Sequence, residues 1–356
     1  MQTRPVLAAG AALAILFLGT HLCLAQIPII NLPHDARSYA LAGGGVADGS
    51  NPSTVLNNPA VAARLSGAYL SAYSGEILPD LVNDVNLKGG VLSGGYPVYE
   101  GDVVLRLGGE VRFAKLNYGA IEITDTQGMP LGYFDSYEEY YSFTAAVDLQ
   151  FAHSFHLGIG STYKSLSTEY FLTGPAAPVD GDGSVYDVGF LLAYSASNPA
   201  DWSVTPALGI SLRNFGSDLE YGSYGTIEPG RHNAYGVSID IQSPYTTLLD
   251  ASVPTFAMVF NFDLEKSEDP DKLYSAGLEL GFWQVIFARL GFEAIQNVDP
   301  KALTLGLGAG LPLREFMFRF DYAMVPLTII NGNHGDRANK FTLSLGWTPQ
   351  QAVHSN

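Results

Sequence analysis

A two-residue alternation, repeated almost from end to end, constrains this chain more than any other feature. Near the C-terminus it reads Lys340-Phe341-Thr342-Leu343-Ser344-Leu345-Gly346-Trp347, with a large apolar side chain at every second position. Successive side chains of a strand point to opposite faces, so this segment has one apolar face and one wet face. Residues 103–113 repeat the pattern: Val103, Leu105, Leu107, Val111 and Phe113 alternate with Arg106, Gly108, Glu110 and Arg112. Residues 155–163, 303–311 and 315–324 do the same. A soluble sandwich also alternates, but its charged face is outermost and about a quarter of its residues are charged. Here only 15% are charged, and 39 glycines accompany 20 Tyr and 19 Phe. A lipid-facing aromatic exterior around a polar interior accounts for both facts. The expected fold class is all-β, an antiparallel transmembrane β-barrel.

Following the phase along the chain gives fourteen strands, near 65–75, 83–94, 102–116, 137–151, 154–171, 185–197, 202–215, 233–242, 253–263, 272–283, 284–296, 302–312, 314–325 and 339–348. The eighth carries the weakest pattern. An even number returns both ends to the periplasm. Short turns are expected at His153-Ser154, 198–201, Trp283-Gln284 and Pro312-Leu313. Longer extracellular segments are expected at 117–136, 172–184, 216–232, 264–271 and 326–338, holding Asp180, Asp182, Glu268, Asp269 and Asp271.

Residues 1–25 read as a secretory signal: Arg4, an apolar run over 6–18 too short to span, then Cys23-Leu24-Ala25 as a small-x-small cleavage site. Cys23 is the only cysteine, so the mature chain is expected to hold no disulfide and no thiol chemistry. The expected domains are 1–25 signal, 26–63 hatch, 64–348 barrel and 349–356 tail. The whole chain carries 18 Lys+Arg against 35 Asp+Glu, a net charge of −17, which makes nucleic acid a poor partner. No cofactor or metal is expected. Asp180-Gly181-Asp182-Gly183-Ser184 is similar to part of a calcium loop, but the closing Glu is absent. Gly43-Gly44-Gly45 lacks a P-loop Lys. His156 and Lys164 share the polar face, yet nothing marks one serine as a nucleophile, so no catalytic residue and no enzyme is expected.

The segment 26–63 does not alternate. Its glycines and Asn58-Pro59 mark sharp turns. A fourteen-strand lumen is wider than its own side chains readily fill, so this segment is expected to act as a plug. Ala36-Arg37-Ser38, Ala40-Leu41, Gly43-Gly44 and Asn58-Pro59-Ala60 resemble the start of the PorV/PorQ branch of the FadL-like outer-membrane barrels. Ser211-Leu212-Arg213-Asn214-Phe215-Gly216, Phe262-Asp263-Leu264-Glu265-Lys266, Ala288-Arg289-Leu290-Gly291-Phe292, Asp321-Tyr322-Ala323 and the closing strand extend the resemblance over nearly the whole mature chain. Asn57 stands where that branch has an aromatic residue, and nine residues follow Trp347. The resemblance implies a fourteen-strand barrel with an N-terminal hatch, whose motif here is Arg37, Asn58, Pro59 and Ala60. It also implies an outer-membrane location in a Gram-negative-type bacterium.

The polar phase assigns Arg106, Glu110, Arg112, Asp148, Lys164, Arg213, Glu279, Arg289, Glu293, Glu315, Arg319, Asp321 and Lys340 to the lumen. A selective ion filter uses one sign of charge, and this set is mixed, so the charges are expected to pair with each other and with the hatch. Two functions remain, beside a structural outer-membrane barrel with neither task. The branch resemblance implies a component of type IX-like protein secretion that holds or shuttles cargo at the cell surface, with cargo and other secretion components as partners. The wider superfamily implies a FadL-like channel taking up hydrophobic small molecules such as fatty acids or hydrocarbons. The closer branch resemblance puts secretion first, and the charged lumen counts mildly against a greasy conduit, which should show an apolar pocket. Outer-membrane lipid is a partner in either case.

Overall fold

The computed structural model describes residues 28–77, 84–124, 127–152, 154–170, 179–195, 201–222, 225–267, 272–296, 302–328 and 334–349. The expected signal, most of the tail, and Glu268, Asp269 and Asp271 lie outside them. Fourteen long strands form one antiparallel sheet: β1 (Gly67–Glu76), β2 (Asn86–Tyr99), β3 (Val103–Thr124), β4 (Pro130–Phe151), β5 (Phe155–Tyr170), β6 (Val179–Tyr194), β7 (Ser203–Gly216), β8 (His232–Gln242), β9 (Phe256–Ser267), β10 (Lys272–Phe282), β11 (Ile286–Ile295), β12 (Ala302–Leu313), β13 (Phe316–Thr328) and β14 (His334–Trp347). The sheet closes on itself where β1 pairs with β14, from Ala68 opposite Trp347 to Gly75 opposite Lys340. Closure satisfies every ladder without an open edge, as a strand structure in lipid requires. Among the described residues no helix is long and apolar enough to cross a membrane.

Each strand obeys the expected phase. In β5, Phe155, Leu157 and Ile159 are exposed on the outer face while His156, Thr162 and Lys164 are buried. Aromatic pairs bracket the apolar band. Tyr163 and Tyr186 lie 5.2 Å apart at one level, and Phe155 lies between Phe151 and Tyr194 at the other. An outside this apolar around an inside this charged suits a barrel in lipid.

The expected loops need correction. Residues 117–136 are largely strand, since β3 and β4 pair from Thr124 opposite Pro130 down to the membrane. Asp180 and Asp182 lie within β6, paired to β5, and not in a loop. Their glycine neighbours gave the turn-like reading, but Gly183 is small because Leu219 lies against it: a Cβ there would stand 2.9 Å from the Leu219 side chain. β3 to β6 thus project past the girdle as a wall. The expected turn at Pro312-Leu313 falls at Arg314-Glu315, with φ +55° at Arg314. The sequence also missed a small hairpin between β8 and β9, Tyr245–Leu248 with Ala251–Pro254. Its two turn residues, Leu249 and Asp250, both have positive φ, a conformation usually flagged by Asn-Gly.

Candidate functional site

The N-terminal segment lies inside the barrel. The turn Pro59–Arg64 packs on β2 to β6, and helix α1 (Ala36–Ala40) packs on β11 to β14 across the lumen. Local chemistry sets its bends. Asp35 caps α1 by accepting from the Ser38 N–H. Asn51 and Asn58 cap the turns Pro52–Leu56 and Pro59–Arg64, each followed by a proline that needs no N–H partner. Asn58 also donates its amide to the carbonyls of Val46 at 2.7 Å and of Phe190 in β6 at 2.9 Å. Pro59 and Ala60 sit fully inside, against a wall stripped of side chains. A Cβ on Gly160 would stand 2.5 Å from the Pro59 carbonyl. The glycines that alternate with leucines on these strands make room for the hatch backbone.

The lumen side chains divide by height. A belt of charge ties the hatch to β10, β11 and β13. Arg37 meets Glu279 (Nε to Oε2 3.0 Å) and Asp48 (Nη2 to Oδ2 2.8 Å). Glu279 also takes Arg289 at 2.5 Å and Arg319 at 3.2 Å, and both arginines reach Asp321 at 2.7 and 2.9 Å. Burial works against a charged Arg37, but Glu279 and Asp48 outweigh it and hold its pKa above the ordinary arginine value. Three arginines face three carboxylates, so the belt is neutral. Elsewhere Arg112 pairs with Glu110 at 2.9 Å, Lys164 with Asp187 at 2.8 Å and Arg213 with Glu265 at 2.6 Å. Asp263 accepts the N–H groups of Gly45 and Val46, which gives the triple glycine its place.

His156 pairs with Asp148 at 2.9 Å rather than with Lys164. Arg106 donates to the carbonyls of Ala63 (3.1 Å) and Leu65 (2.9 Å) at the end of the hatch. Glu293 is half-buried and takes part in none of these pairs. Glu315, assigned to the lumen by phase, sits in the turn instead and accepts from Trp347 Nε1 at 3.1 Å. Lys340 points inward, 4.4 Å over the ring of Tyr39. At the short-turn end, a polar cavity of about 240 Å³ opens beside the hatch, lined by Asp48, Arg64, Ser195, Thr205, Ser238 and Asp240. Arg64 Nε and Nη1 have no partner there, and burial pulls its pKa down.

Toward the long-connection end the lumen changes character. Ile29 and Ile30 pack among inward-facing Tyr73, Leu87, Leu116, Tyr140, Leu166 and Val185, with Tyr118 and Tyr170 against them. Leu219 and Tyr221, from the 217–231 connection, roof this cluster. Ile29 is pinned at both backbone groups. Its N–H donates to Glu138 at 2.9 Å, and its carbonyl lies 2.9 Å from His34 Nε2. His34 also meets the Tyr140 hydroxyl at 3.1 Å through Nδ1. Burial, then the nearby Arg112, lowers the His34 pKa to about 3. The ring is therefore neutral, with Nε2–H donating and Nδ1 accepting. Reading the sequence missed this chamber and Glu138. The signal was present in Tyr118, Tyr140 and Tyr170, but Tyr118 fell in a segment read as loop.

No family model and no curated protein matches the chain. Solved structures do match. The "TodX monoaromatic hydrocarbon channel deltaS2 mutant" aligns with a TM-score of 0.50 over 89% of this chain and 99% of its own, at 9% identity. The Pseudomonas putida toluene transporter TodX aligns at 0.46 over 90% and 98%, at 9% identity. A Pseudomonas aeruginosa FadL homologue aligns at 0.45 over 88% and 98%, at 12% identity. The first of these supports a shared barrel fold, and at such identity the likeness extends no further.

Proposed function

We propose that this chain is an outer-membrane channel for the uptake of hydrophobic small molecules. The observation that carries the reading is the apolar, aromatic chamber in the outer half of the lumen, filled by the chain's own Ile29 and Ile30. An apolar enclosure with few placed polar groups is the common form of a small-molecule site. The fold it shares with proteins named as hydrocarbon channels points the same way. No catalysis is part of this reading. The order of the two functions is thereby reversed from the one the sequence suggested. A mixed-charge lumen argued against a greasy path only while the charges seemed to line its whole height.

Secretion stays as a second reading because one observation favours it. The wall formed by β3 to β6 beyond the girdle carries Glu139, Glu169, Asp180 and Asp182, a surface suited to a protein partner. Deleting the gene and measuring uptake of labelled 4-propylphenol and toluene beside the set of surface proteins separates the two. Uptake should fall at least several-fold while the surface proteins stay unchanged. Normal uptake with lost surface proteins would overturn the channel and favour secretion.

A further inference from the structure

Glu138 is the feature of the chamber that uptake of plain hydrocarbons leaves unexplained. It projects inward from β4 and is fully buried. Oε1 accepts from the hydroxyls of Tyr118 and Tyr170, and among the described residues Oε2 accepts the Ile29 N–H alone. Among the described residues no ion pair reaches it. The cations that approach the chamber are engaged elsewhere, Arg112 with Glu110 and Lys164 with Asp187. A carboxylate buried without a cation is strongly unfavourable, and a leucine would seal an apolar plug better. Tyr118, Tyr170 and Tyr221 stand in a row beside it, their rings 6.0 Å apart in each step. Ile29 itself shows what fits: an apolar side chain in the cluster and a hydrogen donor on the carboxylate.

We propose that Glu138, with Tyr118 and Tyr170, is the head-group subsite of the channel, taking hydrophobic small molecules whose polar end donates a hydrogen bond and turning away carboxylates. The proposal rests on the channel reading and narrows its substrate class to apolar bodies with hydroxyl or ammonium heads. Such a head takes the place of the Ile29 N–H on Oε2, while the body replaces the Ile29 and Ile30 side chains. A plain hydrocarbon that displaced Ile29 would leave Oε2 buried and unpaired, which disfavours it. A carboxylate would meet the charge of Glu138 while the described cations near the chamber, Arg112 and Lys164, are already in ion pairs, at short range in a poorly screened site.

The test uses three ligands with one body: 4-propylphenol, propylbenzene and 4-propylbenzoate, titrated calorimetrically into the purified full-length protein in detergent. The phenol should bind about tenfold tighter than the hydrocarbon, and the benzoate should show no binding. Glu138→Gln keeps an acceptor but removes the charge, so it should admit the benzoate. Tyr170→Phe should loosen the phenol several-fold more than it loosens the hydrocarbon. Retained heat-modifiable gel mobility confirms that both variants fold. Equal affinity for phenol and hydrocarbon, or an unaltered benzoate rejection in Glu138→Gln, would overturn the subsite and leave the channel standing. Binding of none of the three would overturn both.

Discussion

Asn58 shows how much one side chain can hold in place. Its oxygen caps the turn that follows, and its nitrogen joins that turn to Val46 in the hatch and to Phe190 in the wall. His34 holds the opposite end, between the Ile29 carbonyl and the Tyr140 hydroxyl, and responds to acid. Its folded pKa of about 3 lies below the ordinary value of 6.5. Its contribution to the seating of Ile29 is therefore complete above pH 6.5 and is lost as pH falls toward 3, on the order of a few kcal/mol. Arg112, Lys164, Glu110, Glu138, Tyr73 and Tyr140 surround it, and the carboxylates among them also respond to acid. Comparing wild type with His34→Asn isolates the imidazole. Protection factors at the Ile29 and Ile30 amides, with the intrinsic pH dependence of exchange divided out, should fall more in wild type than in the variant between pH 7 and pH 4. An identical change in both would show that His34 is not responsible.

The hatch meets the wall through apolar contact at Ile29, Ile30 and residues 60–63, and through paired charge at Arg37. Arg37 is the hatch's one cation in the belt, and removing it leaves Glu279 and Asp48 short of a buried partner. Breaking a buried pair in this way costs about 3–5 kcal/mol. Arg37→Ala should therefore unseat the hatch, and planar-bilayer recordings should show more frequent open events than wild type. Deleting residues 26–60 should give a steadily raised conductance. Conductance unchanged by the deletion would mean that this segment closes nothing. How much of this was legible follows from what alternation encodes. Period two tells which face a residue occupies, so Glu279, Arg289 and Asp321 could be placed inside. It does not tell height or partner. It therefore gave no sign that the charges gather in a belt beneath a chamber of tyrosines. Asp180 and Asp182 misled for the same reason: flanking glycines signal a turn or a tight contact equally well, and only Leu219 and Tyr221 above them decide between the two.

At the scale of the whole molecule, the barrel is a container around its own N-terminal segment. The strands were readable because lipid outside and charge inside force a sharp two-faced pattern. The content was less so, because it is held by caps, glycine clearances and ion pairs with no period of their own. The charge of that content can be counted. Residues 26–66 carry Arg37 and Arg64 against Asp35 and Asp48, two of each sign. The belt behaves alike: withdrawing Arg37 and Asp48 leaves Arg289 and Arg319 facing Glu279 and Asp321, again two against two. Departure of residues 26–66 therefore transfers no net charge and leaves the belt balanced. Raising potassium chloride from 0.1 to 1 M should change the open probability of the wild-type barrel by less than about twofold, since screening has little net attraction to weaken. A steep salt dependence would show that the two bodies are held by unlike total charge. On the proposed channel reading, a content without net charge is insensitive to the salt around the cell and is displaced by an apolar guest.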